Sequence, residues 1–260
     1  IPAVIGANPA LKPEEAKSWT FGFVWEPTAD TTLTVDYYSI KRDNEIQTID
    51  LDFLLANANL FPGRVTRGPN LPGDPAGIPG PLVSVNLIYA NLAKTETSGV
   101  DLEFRQRFNM GAYGKLGAIV YGAYTDKWKF AVNEGEPLVN YNGTHNQPRF
   151  QGNLTFEWET GPWYVFHRTN YVGPFSYVGT PFATCPASVA SVGGCNISGW
   201  VTHDAGLRYT GFKNLTLRAG VRNHTNKRPP IDLNYSELYN LAYHNLLGTV
   251  YSVGFNYSFR

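Results

Sequence analysis

The sequence predicts an all-β protein: a transmembrane antiparallel β-barrel wall of about nine strands that forms part of a larger barrel. Three observations carry this. Strand-length stretches alternate between an aromatic or aliphatic face and a small or polar one. Their connections alternate strictly between short turns and long loops. The closing stretch 247–260 sets Tyr251, Val253, Phe255, Tyr257 and Phe259 on one side and Ser252, Gly254, Asn256 and Ser258 on the other. Two uniformly different faces on one strand mean two different solvents.

Composition narrows the classes first. The 21 basic residues balance the 21 acidic ones, so neither a nucleic-acid partner nor attraction to an anionic surface is expected. No run approaches the roughly 18 apolar residues of a membrane helix, and the stretch nearest to one, Leu116 to Tyr124, is broken by glycines. Cys185 and Cys195 lie in a Gly/Ser/Pro-rich stretch with no further metal ligands nearby, so a disulfide and an oxidising compartment are expected.

Residues 1–16 read as loop. Trp19, Phe21, Phe23 and Trp25 then form an all-aromatic strand face, and a turn at Pro27 and Asp30 leads to Leu33, Val35 and Tyr37. A long excursion over 41–94 contains helical spacing at 49–58 and a Gly/Pro-rich loop at 61–81. Val100, Leu102 and Phe104 alternate with Asp101, Glu103, Arg105 and Arg107. A turn at 109–114 opens 115–125, whose two faces are both apolar enough to leave its orientation unassigned.

After a loop to about 146, Phe150, Leu154, Phe156 and Trp158 alternate with Arg149, Gln151, Asn153 and Glu157. The turn is only 160–162, and Trp163, Val165 and Tyr171 mark the return strand, with Phe166 and His167 blurring its pattern. Beyond the cysteine loop, Val201, Ala205, Leu207 and Tyr209 oppose Thr202, Asp204 and Arg208. Leu215, Leu217, Ala219 and Val221 likewise oppose Arg218 and Arg222. A last long loop, 223–245, precedes the closing strand. Short turns on one side and long loops on the other are the asymmetry of an outer-membrane barrel. Nine is odd, whereas single-chain bacterial barrels are even, and the first and last strands would leave edges that lipid cannot satisfy, so the strands are expected to belong to a wider wall.

Several stretches together resemble the TonB-dependent outer-membrane receptors, whose barrels have 22 strands. Asn8-Pro9-Ala10-Leu11-Lys12-Pro13-Glu14, followed by Ser18-Trp19-Thr20-Phe21-Gly22-Phe23, is similar to that family's loop and following strand. Thr97 to Glu103 resembles a strand start. Leu215 to Asn223 with Lys227, Pro229 and Pro230 resembles the penultimate strand and its loop, although His224-Thr225 stand where Leu-Phe is usual. Gly254, Tyr257 and Phe259 resemble the C-terminal assembly signal, here followed by Arg260. The resemblance spans nearly the whole chain and is nearest the large-loop, Oar-like branch.

It implies that residues 1–260 are the C-terminal portion of such a barrel, about strands 14 to 22, with the plug domain absent from this chain. It also implies location in the bacterial outer membrane, long loops extracellular and the C-terminus periplasmic. Expected partners are the N-terminal barrel half and plug (in the same or a separate chain), TonB through the plug, outer-membrane lipid or lipopolysaccharide, and an extracellular small-molecule or oligomeric ligand.

Charges in a barrel wall face water or a polar partner. Asp101, Glu103, Arg105, Arg107, Arg149, Glu157, Asp204, Arg208, Arg218 and Arg222 are therefore expected on the inner face, which the resemblance turns toward the plug. Trp128, Tyr141, Phe175, Tyr177, Trp200, Tyr235 and Tyr239, in or near the long loops, are the candidate ligand contacts. The five histidines (His145, His167, His203, His224, His244) show no metal-ligand spacing, and no catalytic motif or cofactor is expected. The implied function is TonB-energised uptake of a scarce large nutrient: an oligosaccharide, peptide, siderophore or vitamin. The alternatives are a passive porin, a surface adhesin or structural barrel, and a soluble carbohydrate-binding β-protein.

Overall fold

The computed structural model describes residues 2–4, 8–48, 51–56, 58–75, 77–131, 136–144, 147–179 and 181–259. Nine long strands form one antiparallel sheet: β1 (Glu15–Thr28), β2 (Thr31–Thr48), β3 (Tyr89–Asn109), β4 (Lys115–Ala131), β5 (Phe150–Thr160), β6 (Trp163–Val172), β7 (Trp200–Phe212), β8 (Leu215–Arg222) and β9 (Val250–Tyr257). Their spatial order is their chain order, from β9 at one edge to β1 at the other. At the short turns this order is forced, because a strand that reverses over a few residues can only lie beside its predecessor.

The turns show why. Thr160 pairs with Trp163, leaving Gly161-Pro162 as the whole loop. Gly161 has φ +51°, and a positive-φ glycine ahead of proline suits a reversal that matches strand twist. Phe212 pairs with Leu215 across Lys213 and Asn214, the latter at φ +59°. The other two short connections are 29–30 and 110–114, where Met110 N–H donates to the Gly114 carbonyl (2.8 Å). The long connections 49–88, 132–149, 173–199 and 223–249 join the opposite strand ends.

The chain divides into two compact units. The first comprises 1–18, 40–96 and 129–139. Here the sequence expectation needs correcting, because the excursion read as 41–94 is shorter. β2 runs to Thr48 and β3 begins at Tyr89, since Lys41–Glu96 (3.6 Å) and Lys94–Asp43 (3.8 Å) pair charges that alone read as loop. β1 likewise begins within the stretch read as loop. The helix α1 (Leu51–Ala56) is shorter than the helical spacing suggests; Ile49, Asp50 and Asn57 lie outside the described residues. Short strands Ala3–Val4, Val65–Arg67 and Leu82–Asn86 make a small mixed sheet. Leu54, Val85 and Leu92 are its buried centre, with Phe61, Val65 and Leu82 packed around them.

The second unit comprises 19–39, 97–128 and 140–260 and holds most of the wall. No described residue covers its apolar face. Phe21 is 70% exposed, Phe156 47% and Phe255 74%, whereas a soluble sandwich would bury such side chains. Trp19 packs on Tyr37 (5.3 Å between ring centroids) and Trp163 on Tyr209 (4.4 Å) along this face, as aromatic cross-strand neighbours do. Among the described residues no helix is long and apolar enough to cross a membrane.

Cys185 and Cys195 are disulfide-bonded within 173–199. Their sequence separation is 10, and closing so short a loop stabilises it locally by about 2.5 kcal/mol through lost unfolded-state entropy. Cys185→Ser is expected to raise proteolytic cleavage between 180 and 198 while leaving the wall's unfolding midpoint unchanged. Limited proteolysis beside a denaturant melt checks both.

Candidate functional site

Cross-strand register fixes one polar face. Ala123 pairs with Gln151, Tyr121 with Asn153 and Gly117 with Glu157. Glu159 pairs with Tyr164 and Asn153 with Asn170. Arg208 pairs with both Tyr164 and Arg218. With side-chain period two, the odd residues of β3, β4 and β5 and the even residues of β6, β7 and β8 share this face. The orientation of β4, open in the sequence, is thereby settled: Lys115, Tyr121 and Ala123 face the polar side.

Four clefts line the face. The largest, about 500 Å³, is formed by Thr34, Asp36, Asp101, Glu103, Tyr121, Gln151, Asn153 and Asn170, with backbone between them. A second, about 450 Å³, lies among Tyr164, Phe166, Arg208, Arg218, Ser252 and Gly254. A third, about 280 Å³, joins Arg107, Lys115, Glu157, Glu159 and Tyr164. The smallest, about 130 Å³, includes Trp200, Thr202, Asp204, Arg222 and Asn223.

The charged groups are held by neighbours on the same face. Arg105 donates to Glu103 and to the Tyr121 hydroxyl (2.7 Å). The Tyr164 hydroxyl donates to Glu157 (2.9 Å), and the Arg208 guanidinium lies 4.7 Å over the Tyr164 ring. Arg168 donates to Thr155 (3.0 Å). Asp204 accepts from the Asn170 amide (2.9 Å) and the Asn223 backbone N–H (2.8 Å), tying the long-loop ends of β6, β7 and β8 together. Guanidinium forks and hydrogen-bonded carboxylates present donors and acceptors suited to a polar surface.

Nine of the ten charged residues singled out from the sequence line these clefts or their hydrogen bonds. Arg149 is different: its Nη2 donates to the Asn142 carbonyl (3.4 Å), which ties it to the turn at 141–144. Sequence reasoning missed Tyr121, Tyr164, Phe166, Arg168 and Asn170. Phe166 stands on the polar side because Gly206 opposite leaves it room; a Cβ on Gly206 would lie 2.5 Å from the Phe166 ring. Continuing the Trp163, Val165, Tyr171 parity would have placed His167 on the apolar face and Phe166 on the other.

The candidate loop aromatics Trp128, Tyr141, Tyr177, Trp200, Tyr235 and Tyr239 are each half-buried. The Trp128 and Tyr141 backbones pair (2.7 Å) in one turn region. Tyr177 and Trp200 belong to the body built from 173–200 and 223–249, where Asn234 donates to the Tyr177 carbonyl (2.8 Å). Phe175, buried, stacks on His244 (6.0 Å), and Trp200 meets the same ring edge-on (5.2 Å). Gly254 and Tyr257 sit on β9, and the Tyr257 and Phe259 rings touch at 4.9 Å; Arg260 lies outside the described residues.

His244 is buried, and burial lowers its pKa from the ordinary 6.5, with the Asp232 carboxylate opposing. The folded loop thus holds a neutral imidazole that the unfolded loop would protonate. Stability contributed above pH 6.5 is lost as pH falls below that value. Protection factors across 223–249, corrected for the intrinsic slowing of exchange in acid, are expected to fall between pH 7.5 and pH 5, and His244→Phe to flatten the dependence.

His145 lies outside the described residues, and among those described no group of three or more His, Cys, Asp or Glu side chains is arranged around a metal ion. His167, His203 and His224, far apart in sequence, nonetheless meet on the apolar face.

The family model described as TonB dependent receptor-like, beta-barrel matches residues 1–223. No curated protein matches the chain. Solved structures do. The ferric enterobactin receptor PfeA of Pseudomonas aeruginosa superposes with TM-score 0.63 at 16% identity, covering 98% of this chain and 32% of that one. The siderophore receptor PirA of Acinetobacter baumannii gives 0.61 at 15%, covering 98% and 33%. The FrpB iron transporter of Neisseria meningitidis gives 0.64 at 13%, covering 98% and 33%. The chain spans about a third of the length of these structures.

Proposed function

Because the chain belongs to the TonB-dependent receptor-like β-barrel family, we propose that it forms the C-terminal part of the wall of an outer-membrane receptor for TonB-energised uptake of a scarce large nutrient. The observation that carries the reading is the sorting of the wall. One face is bare and aromatic, and the other carries Arg105, Glu157 and Asp204, bonded to neighbouring hydroxyls and amides, with Arg208 over the Tyr164 ring. Such charges are suited to a polar protein surface that must bind and release, which is the part a plug plays. In this reading the four short turns are periplasmic, the long connections face outward, and the half-buried aromatics of 173–200 and 223–249 frame the ligand's entry.

Oligosaccharide, peptide, siderophore and vitamin are the ligand classes of this proposal. The solved relatives are named for ferric enterobactin, a siderophore and iron, so a ferric siderophore is the first probe. The test is uptake of radiolabelled ferric siderophores, cobalamin and oligosaccharides by cells that carry or lack TonB, with the full-length receptor as sole importer. Uptake of one ligand that disappears without TonB is the expected result. Uptake independent of TonB, or an open conductance in planar bilayers, would overturn the reading in favour of a passive porin.

A further inference from the structure

On the apolar face of β6 and β7, where β8 gives way to the last long connection, three imidazoles form a triangle. Ring centroids stand 5.5 Å apart for His167 and His203, 5.4 Å for His167 and His224, and 5.7 Å for His203 and His224. The Nε2 atoms of His167 and His224 are 3.2 Å apart. That approach is a hydrogen bond, so the two rings share one proton on a face that also carries Thr169, Val165, Val201, Leu207 and Leu217, and an ion bound between them would displace that proton.

We propose that His167 and His224 are a two-point clamp for a divalent transition-metal ion. An ion at ordinary imidazole bond lengths of about 2.0–2.1 Å from both nitrogens would subtend an angle of about 100°, between the square-planar and tetrahedral values. The donors are held from behind. The Asn223 backbone turns at φ +47°. The Asn223 side chain bonds the Lys227 backbone twice, its amide to the carbonyl and its oxygen to the N–H (2.9 Å each). The His224 N–H donates to the His203 carbonyl (2.8 Å). His203 Nδ1 is engaged by the Thr169 hydroxyl (3.0 Å), so this ring flanks the clamp as a positioned wall. Imidazole donors select Cu²⁺, Ni²⁺ or Zn²⁺ over the oxygen-seeking Ca²⁺ and Mg²⁺. A bound ion would fasten the start of the last long connection to the middle of β6.

The inference stands on this cluster and not on the transport reading. It is tested on the full-length protein in detergent, with Cu²⁺ as the probe, followed by calorimetric titration and electron paramagnetic resonance. One tight equivalent showing hyperfine coupling to two imidazole nitrogens is expected, with no response to Mg²⁺. His167→Ala and His224→Ala are each expected to abolish the tight phase, and His203→Phe to keep it, all three retaining the heat-dependent gel shift of a folded barrel. Absence of a tight Cu²⁺ site in the unaltered protein, a spectrum with fewer than two imidazole nitrogens, or undiminished binding in the two alanine variants would overturn the clamp. The spectrum of the unaltered protein decides even if a variant fails to fold.

Discussion

In the proposed wall, Leu154→Arg is expected to destabilise the sheet by about 2–4 kcal/mol, the cost of an arginine on a lipid face at mid-span. Leu154 is the central residue of the apolar run Phe150, Gly152, Leu154, Phe156 and Trp158 on β5, and it is paired on both sides, with Val120 of β4 and Thr169 of β6. A long cation there has no nearby strand end toward which to extend its head group. Gln151→Arg, three residues away and facing the largest polar cleft, provides the contrast. It should shift stability by no more than about 0.5 kcal/mol, as an ordinary solvated substitution does. Urea unfolding in lipid vesicles, followed by tryptophan fluorescence, measures both. Equal effects at the two positions would mean that the faces had been assigned to the wrong solvents.

Asp204→Ala is expected to cost about 3 kcal/mol, because a hydrogen bond to a charged group is worth about 1.5–3 kcal/mol and two are lost. One holds Asn170 on β6 and the other caps the Asn223 backbone where β8 ends. The loss should therefore appear in two places: a lower unfolding midpoint, and faster hydrogen exchange at 223–227. Asp204→Asn keeps an acceptor for one partner and should recover part of the loss. An effect confined to the midpoint, with exchange at 223–227 unchanged, would show that the carboxylate does not organise the turn.

Much of the wall was legible because a strand between two solvents writes its environment into every second residue. Trp19 to Trp25, Phe150 to Trp158 and Tyr251 to Phe259 carry that signature without interruption, and the turns at Gly161-Pro162 and Lys213-Asn214 set their register. Three things were not legible. The polar extensions of β2 and β3 rest on Lys41–Glu96 and Lys94–Asp43, pairs formed across strands whose charges, taken singly, read as loop. β6 breaks its own alternation because Phe166 uses the space over Gly206, a complementarity between residues forty positions apart. The loop aromatics advertised binding surface, yet Trp200 and Phe175 spend their rings on His244, a buried partner that composition cannot place. The meeting of His167, His203 and His224 likewise needs the register of β6 on β7 before it can be seen.

β1 and β9 each end the sheet with a backbone edge that no other strand satisfies among the described residues. Both are long, regular and aromatic. Removed from lipid and from flanking strands, two such rows of unbonded amides and carbonyls are templates for one another. In the proposed wall, flanking strands would take over both margins, and a delay before they do would favour fibrous self-association over insertion.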